Sequence, residues 1–498
     1  MSYLLGIDTG TSGTKGVLMD LDGSVVSAAS VEYLLSQPRA GWAEQDPQLW
    51  WDAAVKIIRL ICEKTSIHGN KIAAVGLSGQ MHGAVAINGY GDVIRPAILW
   101  CDQRTEAECS WIDQQVGPKN LYDWTGNPAL PGFTAPKILW LRNHEPKTYE
   151  KIRHILLPKD YIRFRLTGEL ATEVSDASGT LLLDVKNRRW SEDMLGSLGI
   201  PLSWMPPVFE SPHISGRVNR ETAKITGLLE GTPVVGGAGD QAAGAVGTGI
   251  VNEGCLSVSL GTSGVVFAAI DKPRIETNSS LHTFCHAAPD KWHKMGVMLS
   301  AGASMQWFRN HFSSSEDYET LVSGANGISP GSEGLVFLPY LLGERTPYPD
   351  PSIRGAFIGL TMRHEKSHLV RAVMEGVSFG LKDSLKLLQK EGIMTKEVRV
   401  TGGGAKSSLW QEILASIFNH TIATVNTTEG PAYGAAILAG VGCGVYDSVE
   451  SGCKLIIKVN AEKTPDEKTV DVYEKYYEVY KSLYPLMKDT MDTLTRLA

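Results

Sequence analysis

The chain has 498 residues, 43% of them hydrophobic and 20% charged, with a net charge of -7. That composition is globular and too long for one ordinary core, and it excludes a disordered chain and a broad nucleic-acid-binding face. No apolar run approaches the roughly 20 residues of a membrane span, and Met1 to Leu5 enters a strand without a basic leader, so neither a membrane nor a nucleic acid is expected as a partner.

Tyr3 to Asp8 is a short apolar strand ending in an acid. Thr9-Gly10-Thr11-Ser12-Gly13-Thr14-Lys15 follows, dense in glycine and hydroxyls, and Gly16 to Asp20 is a second strand before the hairpin signal Asp22-Gly23. The backbone N–H groups, hydroxyls and Lys15 of such a turn form a nest for phosphate. A Walker A loop is excluded, because it needs a strand-to-helix setting and a Gly-Lys-Ser/Thr ending. Asp8, beside that nest, is a natural partner for hydrated Mg²⁺; an ordinary hairpin turn is the alternative.

Asp46 reads as a helix N-cap with Pro47 in the first helical position. Lys71 to Leu77 is a strand, and Ser78-Gly79-Gln80-Met81-His82-Gly83 leads to another at Ala84 to Ile87. Met81 and His82 offer an apolar contact and an imidazole, which suits a small polyol with an apolar carbon edge; a structural histidine is the other reading. Arg95 to Trp100 is a strand, with Trp100 either a flat wall or a core residue. Asp102 and Arg104 are either ligand groups or a surface ion pair. Gly132 to Leu141 enters a helix, and another starts near Leu157. Thr172 to Gly179 is a polar turn whose acids and hydroxyls face either a ligand or water.

Gly236-Gly237-Ala238-Gly239-Asp240-Gln241 joins a strand-like run, Thr232 to Val235, to small residues at helical spacing. Asp240 stands where a helix dipole stabilises negative charge and reads as an N-cap or as a general base. Leu256 to Phe267 is strand, turn, strand, and its Gly261-Thr262-Ser263-Gly264 repeats Gly10-Thr11-Ser12-Gly13 in the same setting. Two related halves are expected, each giving one hydroxyl-rich hairpin to a shared phosphate site. A long helix from about Ser367 to Glu391 precedes a strand, Glu397 to Thr401, the turn Gly402-Gly403-Gly404, and a helix, Ser408 to Phe418. That turn fails the dinucleotide fingerprint, because Ser407 stands where the third glycine belongs. Its glycines still let a nucleotide base and ribose lie close to the backbone. Asp471 to Leu494 is an amphipathic helix with Tyr476, Tyr480, Leu483 and Met487 as its packing stripe. Seven cysteines, in no CxxC or zinc spacing, read as reduced thiols and point to the cytoplasm.

Over essentially its whole length the chain resembles the FGGY carbohydrate kinases. The match includes Asp8-Thr9-Gly10-Thr11-Ser12, Gly239-Asp240-Gln241, Gly261-Thr262 and Gly402-Gly403-Gly404. Two longer stretches resemble the family's signatures: Gly132 to His144, with Lys137 and Trp140, and Gly355 to Leu360 followed by His368-Leu369 and Met374-Glu375. The resemblance implies an α/β fold of two ribonuclease-H-like (actin-like ATPase) domains with a cleft between them, here 1–247 and 248–498. It implies ATP and Mg²⁺ as cofactors and a small-molecule sugar as substrate, and it leaves a homodimer open. Asp240 is then the catalytic base, with Met81, His82, Trp100 and Gln241 around the sugar. Thr11, Ser12, Gly13, Thr14, Lys15, Gly261 and Thr262 hold the phosphates, Gly402, Gly403, Gly404 and Ser407 the adenosine, and Asp8 and Asp240 reach the metal through water. Within the family, Gln80-Met81-His82-Gly83 with Pro96 to Trp100 is similar to the branch that phosphorylates D-xylulose to D-xylulose 5-phosphate. Ribulose, fuculose or gluconate as substrate, and a non-catalytic actin-like sugar sensor, are the alternatives.

Overall fold

A computed structural model describes residues 2–277 and 279–497, and among them the chain builds two seven-stranded sheets. The first contains β1 (Tyr3–Thr9), β2 (Gly13–Asp20), β3 (Val25–Glu32), β4 (Ile72–Gly79), β5 (Ile214–Arg217) and β6 (Pro233–Val235), in the order β3-β2-β1-β4-β6-β5. Ala238–Gly239 adds a short parallel pairing at the end of β4. The second contains β7 (Cys255–Leu260), β8 (Gly264–Ile270), β9 (His282–Cys285), β10 (Trp292–Met298), β11 (Glu397–Thr401), β12 (Ile422–Val425) and β13 (Val459–Lys463), in the order β9-β10-β8-β7-β11-β12-β13.

The two sheets repeat one plan. In the first, β3, β2 and β1 are antiparallel neighbours, β1, β4 and β6 are parallel, and β5 returns antiparallel. In the second, β10, β8 and β7 are antiparallel, β7, β11 and β12 parallel, and β13 antiparallel, with β9 added at one edge. The repeated Gly-Thr-Ser-Gly therefore occupies the same hairpin of each sheet, between β1 and β2 and between β7 and β8. In such sheets ligands gather at the carboxyl ends of the parallel strands.

The helices are α1 (Pro47–Thr65), α2 (Thr134–His144), α3 (Pro158–Thr167), α4 (Asp240–Gly247), α5 (Lys366–Lys390), α6 (Ser408–Phe418), α7 (Gly430–Gly442) and α8 (Glu467–Leu497), besides shorter ones. Local chemistry sets their ends. The Asp46 carboxylate accepts from Gln48 N at the start of α1, with Pro47 just inside. Gly392, beyond the end of α5, adopts the left-handed conformation that ends helices. One face of the first sheet packs on α1 and α3, through Trp50, Ile57, Ile61 and Ile162. Its other face packs on α4 and α7, through Val246, Ala432, Ala436 and Ile437. A helix from late in the chain thus lies on the first sheet. The second sheet packs on α5, α6 and α8 on one side. On the other side Phe267, Phe284 and Met295 meet Ile138 and Leu139 of α2.

Four expectations change. The Arg95 to Trp100 strand is regular only at Ala97–Ile98. Asp102 and Arg104 are neither ligand groups nor a surface pair: Asp102 is fully buried, accepts from Ala43 N at 2.6 Å and pairs with the Arg104 guanidinium. The face that α8 buries carries Tyr473, Tyr477, Tyr480, Tyr484 and Met491, so Tyr476, Leu483 and Met487 flank the seam. Thr172 to Gly179 is buried throughout and does not face water, because Lys159, itself fully buried, lies against both of its acids, Glu173 and Asp176, and replaces solvent.

Candidate active site

The carboxyl ends of β1 and β4 and the start of α4 converge. Asp8 pairs in register with Ser78 of β4 and with Lys15 of β2, while Ala238 and Gly239 pair with Ser78 and Gly79. Asp240 follows as the first residue of α4. The cap is Gly239, so the N-cap reading of Asp240 is off by one position. Its carboxylate is also not kept ionised by the helix alone. Burial, reinforced by the charge of Asp8, pushes it up to about 7. Burial pushes Asp8 up to about 6. One Asp8 oxygen has no hydrogen-bond partner among the described residues, and neither has the hydroxyl of Thr9 beside it. An Asp8 carboxylate with unmet acceptor capacity, close enough to Asp240 for its charge to act there, fits a hydrated divalent cation, whose charge would lower both.

Met81 packs against Gly239, the residue before Asp240, and His82 follows Met81 in the same turn. Gly239 lies on Met81 so closely that a Cβ there would fall 3.0 Å from its sulfur. His82 has φ 69°, uncommon for a residue with a side chain. Three groups hold it there: its Nδ1 donates to Gly179 O at 2.6 Å, and its own carbonyl accepts from Lys137 Nζ at 2.9 Å and Thr134 Oγ1 at 3.1 Å. A carbonyl can only accept, so Nδ1 carries the proton and Nε2 is left as an acceptor. Burial holds the ring well below the ordinary histidine range, hence neutral. Phe133 stacks on it at 4.9 Å between centroids. This is a rigid, neutral acceptor beside an apolar wall, suited to a hydroxyl on a small carbon chain.

Trp100 belongs to the same surroundings, but it is also tied to the first hairpin: its Nε1 donates to Thr11 Oγ1 at 2.9 Å. Thr11 in turn donates to Gln80 Oε1 at 3.1 Å, and Gln45 Nε2 donates to Thr11 O at 2.7 Å. Gln45, buried, is the residue that sequence reading missed, since a lone glutamine carries no local signal; Gln80, also buried, entered only through the Gln80-Met81-His82-Gly83 match. Thr14 is a partial correction, since it is 1% exposed and its hydroxyl pairs with Tyr33, leaving no free hydroxyl for phosphate. Ser12 is exposed and Gly13 half-buried at the hairpin tip. Lys15 pairs with Glu429 at 2.8 Å. Glu429 follows β12 of the second sheet, so this bond joins the carboxyl ends of the two sheets.

In the second half, Gly302 N donates to Gly261 O at 2.8 Å and Ala301 N to Thr262 O at 3.0 Å, which fixes the second hairpin. Gly402 abuts it. Its φ is 87° and a Cβ there would stand 2.7 Å from the Leu260 carbonyl, so only glycine fits. Gly403 has nothing within 4 Å of such a Cβ and leaves the turn open to a flat ligand. Ser407 caps α6, its Oγ accepting from Trp410 N at 3.2 Å, which commits its hydroxyl to the helix. Gln241, next to the base, is half-buried and hydrogen-bonds its carboxylate.

The arrangement offers a buried carboxylate raised to about 7, a neutral imidazole acceptor beside an apolar wall, two glycine- and hydroxyl-rich hairpins and an open glycine turn. Among known proteins, the model of the N-terminal domain of the FGGY family of carbohydrate kinases matches residues 3–247, and that of its C-terminal domain matches 256–443. A xylulose kinase of Bacillus subtilis (strain 168) is 40% identical over 489 residues, covering 98% of each chain. The crystal structure of a xyloylose kinase from Brucella ovis superposes with a TM-score of 0.91 at 38% identity, over 98% of this chain and 100% of that one. Ligand-bound xylulose kinase from Lactobacillus acidophilus superposes with a TM-score of 0.94 at 29% identity, over 99% and 100%.

Proposed function

This chain belongs to the FGGY family of carbohydrate kinases, and we propose that it transfers the γ-phosphoryl group of ATP to D-xylulose, giving ADP and D-xylulose 5-phosphate. The observation that carries this reading is the packing of Met81, in the turn that ends at His82, on Gly239, the residue before Asp240. The turn that carries the His82 acceptor thus meets the junction that carries a carboxylate raised to about 7.

Phosphoryl transfer asks for in-line placement and charge stabilisation more than for covalent chemistry. Asp240 takes the proton of the terminal sugar hydroxyl as its oxygen attacks the γ-phosphorus. A base with a pKa near the working pH suits that step. His82 Nε2 accepts from a second hydroxyl, Met81 and Trp100 line the carbon chain, and Gln241 steadies the Asp240 carboxylate. The N–H groups of residues 11–13 and 261–262 cradle the phosphates, and Gly402 to Gly404 lie under the adenosine. Mg²⁺ held through water by Asp8 and Asp240 would supply charge neutralisation on the phosphate oxygens. Cytoplasmic placement is supported by the seven cysteines, all of them free thiols.

The test is ADP release by the purified protein over a panel of ketoses, polyols and aldonates. D-xylulose should give the highest kcat/KM. A higher value on ribulose, fuculose or gluconate would reassign the substrate, and no release on any sugar would overturn the kinase reading.

A further inference from the structure

The turn that carries the base is held from outside. Gly236 N donates to His213 O at 2.8 Å and Gly237 N to Ser211 O at 2.9 Å, while the Arg163 guanidinium donates to Gly236 O. These bonds fix the start of the turn. At its end, next to Asp240, Gly239 N donates to Ser175 Oγ at 3.1 Å. Gly239 is the cap of α4, where the amide has no partner within the helix and the residue has no side chain to supply one.

Ser175 is itself fixed. Its hydroxyl donates to Glu173 Oε1 at 3.0 Å, so its lone pairs are what Gly239 N–H meets. Glu173 also accepts from Ser175 N at 2.7 Å, Asp176 N at 2.8 Å and Ser211 Oγ at 2.8 Å, and Lys159 Nζ lies 3.4 Å away. Ser175, Glu173 and Lys159 are all fully buried. Four residues further on, Gly179 O takes the His82 proton. One buried segment therefore holds both the base turn and the sugar-binding ring.

We propose that Ser175 is a positioning residue for phosphoryl transfer: its hydroxyl, oriented by Glu173, sets the Gly239 amide and through it the place of the Asp240 carboxylate. This rests on Asp240 being the base. The residue touches no substrate, so its loss should act on the chemical step and spare binding.

The experiment compares wild type, Ser175→Ala, Ser175→Thr and Ser178→Ala as purified full chains. Each is read by kcat and xylulose KM from ADP release and by its thermal midpoint. Ser178 lies in the same segment, but its hydroxyl accepts from Cys285 N and makes no bond to the base turn. Misplacement of a reacting group by about 1 Å costs up to roughly 100-fold. Ser175→Ala should therefore lose about 10- to 100-fold in kcat, with xylulose KM within about twofold. Ser175→Thr, which keeps the acceptor, should recover most of the turnover, and Ser178→Ala should match wild type. If Ser175→Ala does not fold, Ser175→Cys replaces it; the thiol keeps the volume but accepts weakly, and the same loss is expected. Unchanged kcat in the folded Ala or Cys variant would overturn the proposal. So would an equal loss in Ser178→Ala or in Ser175→Thr, since either would assign the effect to packing. Wild type without turnover on any sugar would instead overturn the kinase reading.

Discussion

His82 shows how much one side chain can owe to its neighbours. A left-handed backbone costs a residue with a Cβ about 1–2 kcal/mol, and the Lys137 and Thr134 bonds to its carbonyl offset that. Lys137 is fully buried and pairs with no carboxylate among the described residues, and burial lowers it to about 7. Its bonds to His82 O and Gly132 O are therefore its reason for being there. Lys137→Met should raise the xylulose KM by roughly tenfold, the loss of one buried hydrogen bond to a charged donor, and leave the KM for ATP unchanged. His82→Ala should act in the same direction. An effect of either variant confined to the ATP KM would remove His82 from the sugar site.

At the scale of elements, the short segment after α3 decides more than its length suggests. A Cβ on Gly179 would stand 2.5 Å from the His82 ring. Gly179→Ala should displace that ring and raise the xylulose KM at least as much as His82→Ala; an unaffected KM would show that the ring is free to move. This segment is also where sequence reading fell short. Both phosphate hairpins, the start of α1 and the end of α5 were legible because glycine, proline and cap residues act on their own neighbours. Thr172 to Gly179 was not, because its burial depends on Lys159, which no local pattern pairs with it. The seam of α8 was placed correctly only at Tyr480 for a similar reason: what it packs against decides its face. There Tyr477 donates to Asp383 Oδ1 at 2.6 Å while the other oxygen lacks a partner among the described residues, and burial pushes Asp383 up to about 7 despite nearby Lys382 and Lys481. Unfolded, this carboxyl titrates near about 4. The folded protein thus holds the proton more tightly, so stability from this group is full below about pH 4 and is lost as pH rises through about 7. Urea unfolding from pH 5 to 8 should show wild type losing stability relative to Asp383→Asn; a constant difference would contradict the shift.

For the whole molecule, the repeated sheet plan explains why the site lies where it does. Each half brings one hairpin to the carboxyl ends of its parallel strands, and the Lys15–Glu429 bond joins those ends. We read the halves as 1–247 and 248–498, closing around ATP and sugar so that water does not take the phosphoryl group. Scattering should show a smaller radius of gyration with xylulose and a non-hydrolysable ATP analogue together; an unchanged radius would refute closure. In the proposed mechanism all of this serves one proton transfer, at Asp240. The most direct measurement is Asp240→Asn, with kcat followed by ADP release and xylulose affinity by calorimetry. The amide cannot accept the proton, so turnover should fall by about 10²- to 10⁴-fold while the sugar still binds within a few-fold of wild type. Near-normal turnover in that variant would contradict the assignment of the base.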